Sequence, residues 1–174
     1  SFNSEMKTFI DVLRSKKAMK DEFVSNFVDT VIYNSKNYGL INYVFDRLNN
    51  QGTKGAQYVS IFRPEIDFKK RNYNIEHLYA QSAKKKYSEE EQEYFNQIGN
   101  LIVISRHTNS GLGNLEPKEK INKIESDKKH LGNLRYMDDF IEKYKPLAEN
   151  WDFEQIDKRS KDLGLDGYTR IWNF

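Results

Sequence analysis

The sequence predicts an α+β domain, mostly helical, in which a two-stranded hairpin and a following helix are packed among surrounding helices. Three observations point there. Apolar residues recur at helical spacing in the first third and the last third of the 174-residue chain, while runs of β character fall only in the middle. A turn rich in Gly, Asn and Ser then separates the last of those runs from a proline that suits a helix start. Finally, there is no internal repeat, low-complexity tract or linker, so one compact domain over residues 1–174 is the simplest organisation.

The elements follow in order. Met6, Phe9, Ile10 and Leu13 mark a first helix. Phe23, Phe27 and Val31, beside Val24, Val28 and Ile32, mark a second, and Leu40, Ile41, Val44, Phe45 and Leu48 a third. Turn-forming residues at 49–55 stop that helix, and residues 58–62 alternate in a way that predicts a strand. A short run at 72–81 holds Ile75, Glu76, His77 and Leu78, with Glu76 and His77 at the end of a strand. Residues 88–97 read as an exposed helix with Ser88 as its cap and Glu91 three residues on. Residues 101–105 form an aliphatic β run, 109–114 a turn, and a helix opens near Pro117. Helices at 136–144 and 152–163 follow, the latter with Asp152 and Gln155 as a capping-box variant, and the chain closes on Trp172 and Phe174. The domain thus divides into a helical part at 1–57, a strand-loop-strand-turn-helix piece at 72–126 and a helical part at 127–174. The Ser1 start, already inside polar helix-like sequence, suggests a piece excised from a longer protein.

Composition narrows the chemistry. With no cysteine, neither disulfides nor a thiolate zinc site can form, and any metal must be held by oxygen or imidazole. This reads as a cytoplasmic context. No segment approaches the roughly 18 to 20 apolar residues of a membrane span, and the N-terminus lacks the pattern of a signal peptide. A net charge of +2, from 28 basic and 26 acidic residues, does not by itself announce a nucleic-acid binder. Distribution of charge matters more.

The chemically informative residues are the Glu76-His77 pair, Asn100 before the second β run, and Asn109 nine residues later. Phosphodiester hydrolysis requires a base for water, a cation to offset charge on the phosphate and leaving oxygen, and fixed geometry between them. This segment holds candidate groups for all three. A hard cation such as Mg²⁺ prefers oxygen ligands and retains several waters, so the carboxylate of Glu76 and the amide oxygen of Asn109 suffice as protein ligands, with Mn²⁺ as the alternative ion. Because successive strand side chains point to opposite faces, the strand must end or twist at Glu76 and His77 for both to serve one site.

At these residues the chain resembles the HNH, or ββα-metal, nuclease superfamily, and more closely the nuclease domain of GmrSD-type restriction endonucleases. The resemblance is carried by Ile75, Glu76, His77 and Leu78 with Gln81, by Gly99 to Ile102, by Asn109 and Ser110, and by Lys120 in the following helix. It extends to the helix around Tyr43 to Leu48 and to the closing stretch from Arg159 to Trp172. It implies that residues 72–126 form a ββα-metal finger, with His77 as base, Glu76 and Asn109 as metal ligands and Asn100 as a structural residue holding the His-bearing loop. Lys120 is implied to face phosphate. It also implies a ParB-like NTPase domain in the same full-length protein and a role in bacterial defence against phage or other foreign DNA. One departure is Ala80, where such domains commonly carry proline, which predicts a less rigid backbone after the histidine.

The remaining candidates are surface cations. Lys84, Lys85 and Lys86 read as an exposed loop beside His77 that meets the DNA backbone, and with Arg106, Lys118, Lys120 and Lys123 they predict a local positive face. His107 reads as solvent-facing within reach of phosphate, and His130 as solvated. Trp151, Trp172 and the numerous Phe and Tyr residues fall at helical spacing and are assigned to the core. Two competing functions share this pattern: a DNA-binding or assembly module whose finger has lost catalysis, and an RNase of the same superfamily.

Overall fold

The computed structural model describes residues 19–52, 58–62, 72–127 and 134–172. The helix expected at residues 6–13, His130, Phe174 and the side chain of Lys85 lie outside the described residues. Helix α1 (Lys20–Thr30) and helix α2 (Tyr38–Asn50) are the first elements of the described chain. Their apolar stripes bury Phe27 on α1 and Ile41, Val44 and Phe45 on α2, as the helical spacing predicts. Strand β1 (Tyr73–His77) pairs antiparallel with β2 (Leu101–Ser105), His77 opposite Leu101 and Tyr73 opposite Ser105.

The two strands are not joined by a tight turn. Their connection holds a 3-10 segment (Gln81–Lys86), the short helix α3 (Glu89–Tyr94) and a second 3-10 turn (Ile98–Asn100). Ser88 caps α3 as expected: its hydroxyl accepts from Glu91 N–H while the Glu91 carboxylate accepts from Ser88 N–H. After β2 come a single helical turn α4 (Arg106–Ser110), helix α5 (Pro117–Ser126), helix α6 (Arg135–Tyr144) and helix α7 (Phe153–Asp166). Pro117 opens α5, and Asp152 caps α7 by accepting from Gln155 N–H at 3.0 Å.

The core is centred on β2, whose Leu101, Ile102, Val103 and Ile104 have no exposed surface. Such burial on both faces explains why the strand is continuously aliphatic instead of alternating. Strand β1 is half-buried along Tyr73–Glu76 and buried only at His77. Helix α6 adds Tyr136, Met137, Phe140, Ile141 and Tyr144, and α7 adds Ile156.

Two local expectations are corrected. Residues 58–62 are not a strand. Side chains of α2 take the place of a neighbouring strand: Asp46 Oδ1 accepts from Ile61 and Phe62 N–H at 2.8 and 3.1 Å, and the Asn50 amide both accepts from and donates to Val59. The predicted turn at 109–114 begins inside α4, because the Ser105 hydroxyl accepts from Thr108 N–H and nucleates a helical turn. Among the described residues no helix is long and apolar enough to cross a membrane.

Candidate active site

The end of β1 places two adjacent side chains against different elements. Lys120, one turn into α5, has no exposed surface; its ammonium donates to Glu76 Oε1 at 2.5 Å and to the His77 main-chain oxygen at 2.6 Å. The His77 ring instead lies against Tyr33, which follows α1, with ring centroids 4.5 Å apart and planes nearly perpendicular. Its Nε2 is 3.2 Å from the side-chain amide nitrogen of Gln81. Tyr33 is brought there by the Ile32–Gln97 bridge and by its N–H donating to Asn96 O at 2.7 Å.

Electrostatics follow from this packing. Burial, and after it the nearby Lys120 charge, together lower the His77 pKa to about 4, so the imidazole is neutral at physiological pH. Burial raises the pKa of Glu76, and the Lys120 ammonium opposes that rise by hydrogen bond and charge. Lys120 therefore does not face phosphate, which corrects the expectation for this residue. The reason is that a half-buried carboxylate at a strand end needs a cation, and the helix after the turn supplies it from below.

Asn100 clamps the chain that carries His77. It is fully buried; its Oδ1 accepts from Tyr79 N–H at 2.8 Å and its Nδ2 donates to Phe95 O at 2.9 Å and Tyr79 O at 3.2 Å. Its own carbonyl accepts from Leu78 N–H at 2.8 Å, continuing the strand ladder past His77. The preceding Gly99 is required by close approach: a Cβ there would lie 2.0 Å from Ile156 O of α7. Gly99 N–H donates to the Ser160 hydroxyl at 2.9 Å, and Arg159 donates to Gly99 O and Leu101 O at 2.6 and 2.7 Å. Helix α7 thus holds the entry to β2 through two polar side chains.

Asn109 sits on α4, which packs against both strands. Its Oδ1 is buried and accepts no hydrogen bond among the described residues. A buried amide oxygen without a partner costs about 1–3 kcal/mol, so a ligand that satisfies it is favoured there. The Asn109 oxygen and the carboxylate of Glu76 are both donors of the kind that a hard divalent cation takes. Among the described residues, no three His, Asp or Glu side chains cluster as a metal site.

The predicted surface cations lie on three elements. Lys84 is half-buried and Lys86 exposed in the 3-10 segment after His77; Arg106 and His107 are exposed at the start of α4. Lys118 pairs with Glu149 at 2.5 Å and Lys123 donates to Gly111 O at 2.6 Å, so part of the expected positive face is already engaged.

Sequence reasoning did not single out Tyr33, Asn96 or Ser160, and it gave Arg159 no role of its own. Nothing local marks Tyr33 or Asn96, since both act through tertiary packing. Arg159 carried a legible signal: it stands with Ile156 and Leu163 on the apolar face of α7, where an isolated arginine is buried and held by carbonyls.

No curated protein and no solved structure matches the chain. Residues 18–164 match the family model of the GmrSD restriction endonucleases, C-terminal domain, a span that includes every element from α1 to α7 apart from the last two residues of α7, and the chain belongs to that family.

Proposed function

We propose that this chain is a metal-dependent DNA endonuclease of the HNH type, in which His77 takes a proton from the attacking water and Glu76 and Asn109 hold one divalent cation. The observation that carries the reading is the partnerless buried oxygen of Asn109 on a helix packed against the strand that ends in Glu76 and a neutral His77. Mg²⁺ is the ion that best suits an all-oxygen donor pair, with Mn²⁺ as a substitute; when bound, it supplies charge neutralisation at the phosphate and the departing oxygen. Lys120 holds Glu76 by one oxygen and the His77 main chain by another bond, so base and ligand keep a fixed relation. A phosphodiester brought against His77 adds negative charge beside the ring and draws its pKa up from about 4 toward the working range of a general base.

Backbone phosphates are assigned to Lys84, Lys85, Lys86, Arg106, His107, Lys118 and Lys123, with Lys118 exchanging Glu149 for phosphate. Such contacts give salt-dependent affinity without sequence choice. Family membership supports a restriction nuclease; we extend this to an effector of bacterial defence against phage or foreign DNA, governed by a ParB-like NTPase domain in the same full-length protein.

The test is plasmid cleavage with cation titration, on the parent, His77→Ala and Asn109→Ala proteins. Nicking should stop with EDTA and return with Mg²⁺ or Mn²⁺, and His77→Ala should be slower by about 10²- to 10⁴-fold with DNA affinity retained. Parent-rate nicking by His77→Ala defeats the reading. Cleavage of RNA but not of plasmid reassigns the substrate.

A further inference from the structure

The His77 ring is met by Tyr33 and by Gln81, and the second contact reaches a ring nitrogen. Gln81 places its carboxamide 3.2 Å from Nε2, and the same carboxamide lies 3.3 Å from the side-chain oxygen of Asn96. The main-chain oxygen of Asn96 in turn accepts from Tyr33 N–H at 2.7 Å, and the Tyr33 ring stands edge-on to the imidazole. Gln81, Asn96 and Tyr33 therefore form a bracket that fixes the ring's tilt and occupies Nε2, leaving Nδ1 as the nitrogen without a protein partner among the described residues. In a neutral imidazole one nitrogen carries the proton and the other accepts, and the hydrogen bond made by one decides the state of the other. Turning both carboxamides by half a revolution leaves every heavy atom in place, so the same contacts permit Gln81 Oε1 to accept from a protonated Nε2.

We propose that Gln81 is a positioning residue that accepts a hydrogen bond from His77 Nε2–H and thereby presents an unprotonated Nδ1 to the reacting water. The inference rests on the assignment of His77 as base. It gives a role to a side chain that lies on the surface and touches neither the cation ligands nor the phosphate, so its replacement leaves the core intact.

The experiment reads the tautomer directly, by long-range ¹H–¹⁵N NMR of a protein with only three histidines, and compares it with steady-state cleavage. In the parent, His77 should show the Nε2–H form. In Gln81→Met the ring should populate both tautomers, and kcat should fall by about tenfold while KM changes little, as for loss of a supporting partner. Gln81→Glu, whose carboxylate only accepts, should keep the Nε2–H form. An Nδ1–H signal in the parent overturns the proposal, as does a Gln81→Met protein with unchanged tautomer and kcat. The two readings separate cleanly: an inactive His77→Ala beside a fully active Gln81→Met removes only the role of Gln81, whereas an active His77→Ala removes the base, with the tautomer of the parent still measurable.

Discussion

The Lys120 ammonium and the Glu76 carboxylate meet at 2.5 Å with Lys120 entirely shielded from water and Glu76 only 16% exposed. Breaking such a pair from one side strands a charge in a poorly solvated site. Lys120→Met should therefore destabilise the protein by roughly 3 kcal/mol, near the low end for buried pairs because Glu76 keeps some solvent. Urea unfolding measures it. Adding Glu76→Gln to Lys120→Met should recover part of the loss, since the uncompensated carboxylate is then gone. An unchanged urea midpoint in Lys120→Met would show that the pair carries no stability.

The junction between α7 and β2 predicts a steric effect. In Gly99→Ala the new Cβ meets the Ile156 carbonyl, a backbone atom that cannot turn aside. A loss of about 3 kcal/mol or more, seen as a lower urea midpoint or as insoluble protein, is expected. Asn100→Ala next door should cost roughly 2–4 kcal/mol, because Tyr79 N–H and two carbonyls lose their partner in a buried place.

The depressed pKa of His77 links stability to acidity. The folded value is about 4 against 6.5 in the unfolded chain, so between those values the unfolded state binds more protons. The stabilisation from keeping His77 neutral is complete above pH 6.5 and is lost as the pH falls toward 4. Over the whole window the effect is at most about 3 kcal/mol. Urea midpoints at neutral pH and near pH 4.5 should diverge more in the parent than in His77→Ala, and cation-free NMR should find the ring titrating well below an ordinary histidine. A His77 midpoint near 6.5 would contradict the buried placement.

Ala80 stands where a proline is common in domains of this kind. Its backbone, φ −63° and ψ 138°, is already the conformation that proline imposes. Ala80→Pro should raise stability by about 0.4–1 kcal/mol through the unfolded chain, with cleavage unchanged. Thermal melting gives the answer, and a lowered Tm would mean that Tyr79 cannot accept a following proline.

How far the fold was legible depended on the range of the forces involved. Helical spacing foretold α1, α2, α6 and α7, and the Ser88–Glu91 cap foretold α3, because each is written into residues three or four apart. The aliphatic run of β2 was equally plain. Residues 58–62 misled, since alternation signals a half-buried extended segment whether its backbone bonds to a strand or, as here, to Asp46 and Asn50. The short helix at Arg106–Ser110 hid in a turn-like composition because one hydroxyl, that of Ser105, nucleates it.

Sequence alone determined which chemical groups stand at the strand end: an acidic residue, an imidazole and two asparagines at set intervals, with no thiol to divert a metal. Only the tertiary structure decided what each group meets. It turned Lys120 inward to Glu76 and brought Tyr33, Gln81 and Asn96 round His77. The reason is physical. A lysine near the start of an amphipathic helix has the same local sequence whether it reaches solvent or a carboxylate, and the choice is made by the desolvation of a strand that lies 44 residues away.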